Sequence, residues 1–181
     1  MKILVVDIET TGFYPGSDLI VEIGAAVVDT KTKEIKLVFE KAIKDPRFDA
    51  DKHGDSWIFQ NSSLTVEDVE NAESIEAHRE ELQALFDEYL MTAYNKKFDL
   101  GFLREEGFTI KDTKCLMESA KVHRTGRKYS VEVMYNQFFM DGKERYIEEH
   151  RAGADTVDEA KILLHLVELK ENAKLGRTEP G

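Results

Sequence analysis

The sequence predicts an α/β domain on a mixed five-stranded sheet, a three-stranded antiparallel meander plus two strands, flanked by helices. Three observations lead there. Residues 1–43 hold three β-patterned runs divided by turn residues, and the remainder alternates short apolar runs with helix-period segments. Strands followed by such alternation give a mixed sheet between helical layers. With 181 residues, 41% of them hydrophobic, the chain fits one compact domain. That domain is expected over residues 1–175, with 176–181 as a disordered tail.

The first strand is the apolar run Ile3-Leu4-Val5-Val6, which ends in Asp7-Ile8-Glu9. Residues 12–18 collect Gly, Pro, Gly, Ser and Asp and read as a turn or mobile loop. Residues 19–28 are apolar and β-branched, residues 34–43 alternate, and 29–33 connect them, which completes the meander. Residues 44–63, with Pro46 and Trp57, read as a long irregular surface segment.

Thr65 and Ser74 suit helix N-caps, and Ile75, Leu82, Phe86 and Tyr89 recur at helical spacing. Residues 91–95 form a short strand leading into a helix over 96–106, and 108–111 supply the fifth strand. Residues 114–122 and 130–139 are helical, Asp141-Gly142 is a turn, and 155–174 is a long amphipathic helix.

The formal net charge of −11 argues against broad electrostatic attraction to DNA, RNA or anionic membranes. The basic residues Lys96, Lys97, Arg104, Arg124, Lys128 and Arg151 nevertheless fall in the C-terminal half, which suits a local grip on one end of a strand. No apolar run is long enough to span a bilayer and no basic, signal-like lead opens the chain, so a cytoplasmic protein is expected. The single Cys115 excludes an intramolecular disulfide and reads as a small buried apolar residue; with no Cys or His cluster a structural zinc site is not indicated.

Chemistry enters at the end of the first strand. Successive strand residues alternate faces, so Asp7 and Glu9 point the same way and lie close enough to share one divalent cation. Ionised acids in an apolar strand cost several kcal/mol unless compensated, and a hard cation with oxygen ligands compensates well. Asp and Glu make up 36 of 181 residues, so composition alone yields roughly seven acid-x-acid pairs; the apolar setting is what distinguishes this one. Asp99 falls in the first turn of a helix that follows a strand, where open α/β folds place their sites, although an acid there also simply complements a helix dipole. Phe98 and Phe102 suit either the core or stacking on a base. The third segment is Glu149-His150-Arg151-Ala152-Gly153-Ala154-Asp155. In a continuous helix His150 and Asp155 would sit roughly 140° apart, so a loop at Gly153 is expected to let a loosely held imidazole swing over the face of Asp155.

Together these segments resemble the DEDDh family of 3′-to-5′ exonucleases. Asp7-Ile8-Glu9-Thr10-Thr11-Gly12 matches its first motif, Asn95 with Phe98-Asp99 and Phe102-Leu103 its second, and His150 through Asp155 its third. Residues 19–25 resemble its second strand, and Asp112-Thr113 with Cys115-Leu116 the strand after the second motif. The resemblance implies a ribonuclease H-like fold and two divalent ions, Mg²⁺ or Mn²⁺, set about 3.5 to 4 Å apart to assist an in-line phosphoryl displacement. It implies that Asp7, Glu9, Asp99 and Asp155 hold the metals and that His150 is the general base for the attacking water. It places Thr10, Thr11 and Gly12, with Asn95, Phe98 and Phe102, on the substrate side. The implied partners are single-stranded nucleic acid 3′ ends and a DNA polymerase or other replication or repair protein, with no membrane. Residues 44–63 depart from the family pattern, where Trp57 and Phe59 suit either stacking on a splayed base or covering the sheet edge. His53, His78, His123 and His165 lack acidic partners at family positions and receive no role.

Two other readings compete. A haloacid dehalogenase-type phosphatase also places acid, acid and Thr at alternate positions, as in Asp7, Glu9 and Thr11, but it leaves the second and third segments unexplained. A non-catalytic module that binds 3′ ends or a polymerase shares the scaffold, but all four acids and the histidine are present.

Overall fold

The computed structural model describes residues 1–142 and 144–176. Strands β1 (Lys2–Thr10), β2 (Ile20–Asp29) and β3 (Glu34–Ala42) form the expected antiparallel meander, and β4 (Leu90–Thr92) lies parallel to β1 on its other side. The sheet order is therefore β3-β2-β1-β4, four strands among the described residues rather than five. Where the fifth was expected, Phe108 turns into the core and only one bridge forms, Met91 to Asp112, with Met91 N donating to Lys111 O at 2.8 Å. The strand expected over 91–95 is itself only three residues long because the chain leaves the sheet after Thr92, so there is little edge left to pair.

The segment 44–63 is not irregular throughout. It holds two short helices, α1 (Ala50–His53), capped by the Asp49 side chain, and α2 (Trp57–Asn61). Next comes α3 (Val66–Glu70), where Thr65 caps as expected and Asp68 reciprocates in a capping box. Ile58, Leu64 and Val69 close over Val21 of β2, which is why this stretch folds against the sheet. Ser74 precedes only a 3₁₀ turn, Ile75–His78, and makes no side-chain cap; α4 (Arg79–Glu88) follows.

Alternation along β1 divides the interior in two. Leu4, Val6 and Ile8 pack on Leu82 and Phe86 of α4 and on Leu100, Phe102 and Leu103 of α5 (Lys96–Glu105). Ile3 and Val5 face the opposite layer, built from α6 (Leu116–Lys121), α7 (Val131–Phe139) and α8 (Ala152–Lys174). Asp7 and Glu9 continue the Ile3 and Val5 face, so the two acids look toward α8. Cys115 is half-buried at the start of α6, with its Sγ 3.2 Å from the Tyr94 carbonyl, not sealed in the core.

α8 begins three residues earlier than expected, and Gly153 lies inside its first turn. The sharp turn falls instead at His150, whose φ of +53° is left-handed. The helix can start there because of Gly24, the β2 residue paired with Asp7. A Cβ on Gly24 would overlap the Ala152 carbonyl and reach 2.6 Å from Thr156 Oγ1. Only glycine lets the first turn of α8 lie this close to the sheet.

Residues 177–181 of the expected tail lie outside the described residues. Among the described residues no helix is long and apolar enough to cross a membrane. Replacing Gly24 by Ala should destabilise the fold by about 1 to 3 kcal/mol, because the overlapped atoms are backbone and must move. Urea denaturation checks this, and an unchanged midpoint would contradict the close approach.

Candidate active site

Where β1 passes beyond the end of β4, a cleft of about 170 Å³ opens at the carboxyl edge of the sheet. It is lined by Asp7, Glu9, Tyr94, Asn95, Phe98, Asp99, Glu148, His150 and Glu159, among others. The acids come from β1, the first turn of α5, the segment before α8, and α8 itself. Among the described residues no lysine or arginine lines the cleft.

Asp7 and Glu9 reach the cleft by strand alternation, and Asp99 reaches it because the chain turns from β4 into α5 at Asn95. Asp155 stands in the first turn of α8, where its Oδ2 accepts from Arg151 N at 3.1 Å. One ligating atom from each of Glu9, His150 and Asp155 lies within 4.8 Å of the other two. The third segment therefore does come over the strand-end acids, as expected, although the turn that allows it is at His150 rather than at Gly153.

A buried ion pair anchors this segment. Glu22, only 1% exposed and the β2 residue paired with Glu9 of β1, receives a fork from Arg151: Nη2 at 2.6 Å and Nε at 3.0 Å to Oε1. Its second oxygen accepts Ala152 N at 2.8 Å, one of the otherwise unpaired donors at the start of α8. Glu22 thus sets where α8 begins, and with it the position of Asp155.

The electrostatics of the cleft are unfavourable to carboxylates. Burial raises Asp7 well above the usual carboxylate range, and Glu159, Asp99 and Glu9 add repulsion. Burial followed by repulsion from Asp155 pushes Glu9 up to about 9. Burial lifts Asp99 to about 8, against the backbone N–H groups of Asp99 and Ile8, and lifts Asp155 to about 7 with help from Glu148. Glu148 is raised to about 7 and Glu159 well above its ordinary value, again chiefly by burial. Asp7 Oδ2 and Asp155 Oδ1 are buried with no hydrogen-bond partner. Oxygen ligands that are buried, crowded and unpaired fit a hard divalent cation. Burial pushes the His150 imidazole below its ordinary value, which keeps it neutral and able to accept a proton near pH 7.

The remaining expected residues divide. Asn95 is exposed at the α5 N-terminus and makes no side-chain cap. Phe98 lines the cleft and packs on Phe13, which is 78% exposed. Phe102 is 1% exposed within the core, since its place on α5 faces the sheet; it is no surface for a base. Thr10, Thr11 and Gly12 form a tight exit from β1, with Thr10 Oγ1 donating to Gly12 O at 2.6 Å and Leu19 N donating to Thr11 Oγ1 at 2.9 Å. Trp57 is 57% exposed and meets His150 edge-on, with ring centroids 4.7 Å apart, while Phe59 packs beneath with Phe48.

Sequence reasoning missed Glu148, Glu159 and the Glu22–Arg151 pair. Glu159 follows Asp155 by four residues on one helix and so shares its face, a legible signal; its Oε2 accepts Tyr94 N at 2.9 Å. Glu148 precedes His150 by two residues, which matters only once the segment is known to be extended.

A family model described as Exonuclease (RNase_T) matches residues 4–163. The 3′-5′ exonuclease DinG of Bacillus subtilis is 29% identical over 175 residues; the match covers 92% of this chain, which spans 18% of the length of that relative. Among solved structures, a full-length 3′-exonuclease superposes with a TM-score of 0.71 at 16% identity, covering 93% of this chain and 61% of the other. The nuclease domain of 3′hExo, a DEDDh family member bound to rAMP, gives 0.63 at 14% identity over 94% and 92%. These two likenesses show the fold, a mixed α/β sheet flanked by helices.

The raised carboxyls set the pH dependence of the cation-free protein. Each group keeps its proton in the folded state up to about 7 (Asp155), 8 (Asp99) or 9 (Glu9) but loses it near its ordinary value when unfolded, so their stabilisation is full in acid and lost as pH climbs through that range. The melting temperature without divalent cations should therefore fall between about pH 5 and about pH 9, and added Mg²⁺ or Mn²⁺ should restore it most at the alkaline end. A cation-independent profile contradicts this reading.

Proposed function

The chain belongs to the Exonuclease (RNase_T) family, and from that premise we propose that it is a metal-dependent 3′-to-5′ exonuclease acting on single-stranded DNA or RNA and releasing nucleoside 5′-monophosphates. The observation that carries this reading is the convergence of Asp7, Glu9 and Asp155 with His150 in one cleft whose buried oxygens lack partners. A phosphatase of the haloacid dehalogenase type has no use for the second and third segments that complete this cleft.

The donor set suits two divalent cations, which Asp7, Glu9, Asp155 and Asp99 would hold. When bound, they supply charge stabilisation for the attacking and leaving oxygens of an in-line displacement at phosphorus. The chain itself does the rest. His150, neutral near pH 7, takes the proton of the attacking water. Trp57 meets that imidazole edge-on and limits its swing. The backbone at Thr10–Gly12 and the exposed Asn95 border the place of the terminal nucleotide, and Phe98 with Phe13 offers an aromatic wall for its base.

In this reading residues 1–175 form one exonuclease domain. Release of 5′-monophosphates agrees with the rAMP held by the 3′hExo domain. A polymerase or other replication or repair partner rests on resemblance alone, and a cytoplasmic setting on the sequence pattern alone.

With 5′-labelled single-stranded oligonucleotides and Mg²⁺ or Mn²⁺, the protein should give a ladder shortening from the 3′ end. Asp7→Asn should abolish it, and His150→Ala should slow it by about 10²- to 10⁴-fold, the usual worth of a general base. Intact oligonucleotides beside hydrolysis of a small phosphomonoester would overturn the reading, as would tight binding without cleavage.

A further inference from the structure

The segment that carries His150 is pinned at both ends and has no backbone pairing between. At one end Tyr146 exchanges two hydrogen bonds with the Asn136 side chain, N to Oδ1 at 2.9 Å and Nδ2 to O at 2.8 Å, and stacks on Tyr135. At the other, Arg151 grips Glu22. From Ile147 to His150 no backbone–backbone hydrogen bond forms among the described residues; the backbone N–H of Glu149 turns instead to the Asp155 carboxyl, and the His150 ring meets Trp57. The stretch nevertheless alternates as an extended chain does: Tyr146, Glu148 and His150 turn inward while Ile147 and Glu149 are exposed.

Glu148 therefore enters the cleft beside His150, among Asp7, Glu9, Asp99 and Glu159. Among the described residues it makes no hydrogen bond or ion pair, and the charged groups outside the cleft that act on it, Glu132 and Asp158, are also acids, Glu132 being paired with Arg145. A half-buried carboxylate aimed at other carboxylates is costly unless a cation faces it. The partnerless buried Oδ1 of Asp155 marks the same place from the helix side.

We propose that Glu148 is a carboxylate beyond the four-acid pattern that reaches the cations of the cleft, and that by doing so it holds the segment, which has no backbone pairing, in its inward position and with it His150. This rests on the cation-binding reading given above. Glu148 is a positioning residue, and its consequence is that cation loading orders the base.

The test titrates cation-free protein with MnCl₂, without nucleic acid, comparing wild type, Glu148→Gln and Asp7→Asn by manganese EPR, amide exchange over residues 144–151 and melting. Wild type should bind Mn²⁺ and slow exchange across 147–150. Glu148→Gln should bind about tenfold more weakly, the least that loss of a supporting ligand costs, and should leave exchange fast. Its melting should also change sign: no lower than wild type without Mn²⁺, because a like charge is gone, and lower with it. A merely structural role would not produce that reversal. If Glu148→Gln binds as tightly and protects the segment as well while Asp7→Asn loses the ion, Glu148 has no such role and the cation site stands. If wild type binds no Mn²⁺, or Asp7→Asn binds it equally, the cation reading fails and this proposal with it.

Discussion

Six carboxylates share one small cleft, and among the described residues no lysine or arginine lines it with them. At protein-interior dielectric such neighbours repel by several kcal/mol, and burial removes the water that would relieve them. Protons relieve them in acid, and divalent cations relieve them at neutral pH. The protein folds despite this arrangement because the two apolar layers on either face of the sheet supply the stability. The cleft is a locally strained region, of the kind that function retains.

The crowding depends on how closely α8 approaches β1 and β2. Gly24 removes the side chain that would hold the helix off, and Glu22 takes both the Arg151 guanidinium and the Ala152 amide, which fixes the first turn. Asp155 and Glu159 then face Asp7 one turn apart. The left-handed turn at His150 carries the imidazole back across the same opening. Two residues of β2 with no place in the chemistry thus set the geometry for residues that have one.

The meander, the helix at Asp99 and the long last helix were legible because each has a clean period and a turn or cap beside it. Asp7 and Glu9 stood out since acids interrupt an apolar strand. The fifth strand was overread because Phe108 and Ile110 alternate like a strand but serve the core, and the short helices of 44–63 escaped because four or five residues carry no period. Phe102 illustrates a related limit: at i+4 from Phe98 it looks equivalent, yet one turn further along α5 it is buried in the core while Phe98 lines the cleft. Glu148 and the Glu22–Arg151 pair join positions far apart in the chain, or depend on a backbone conformation that no local signal gives.

The most direct measurement is anomalous diffraction from crystals soaked in Mn²⁺ at neutral pH. Two peaks about 3.5 to 4 Å apart, bounded by Asp7, Glu9, Asp99 and Asp155, are the predicted result. A cleft without anomalous density, while Mn²⁺ occupies acids elsewhere on the surface, would contradict the claim that these carboxylates are gathered to hold cations.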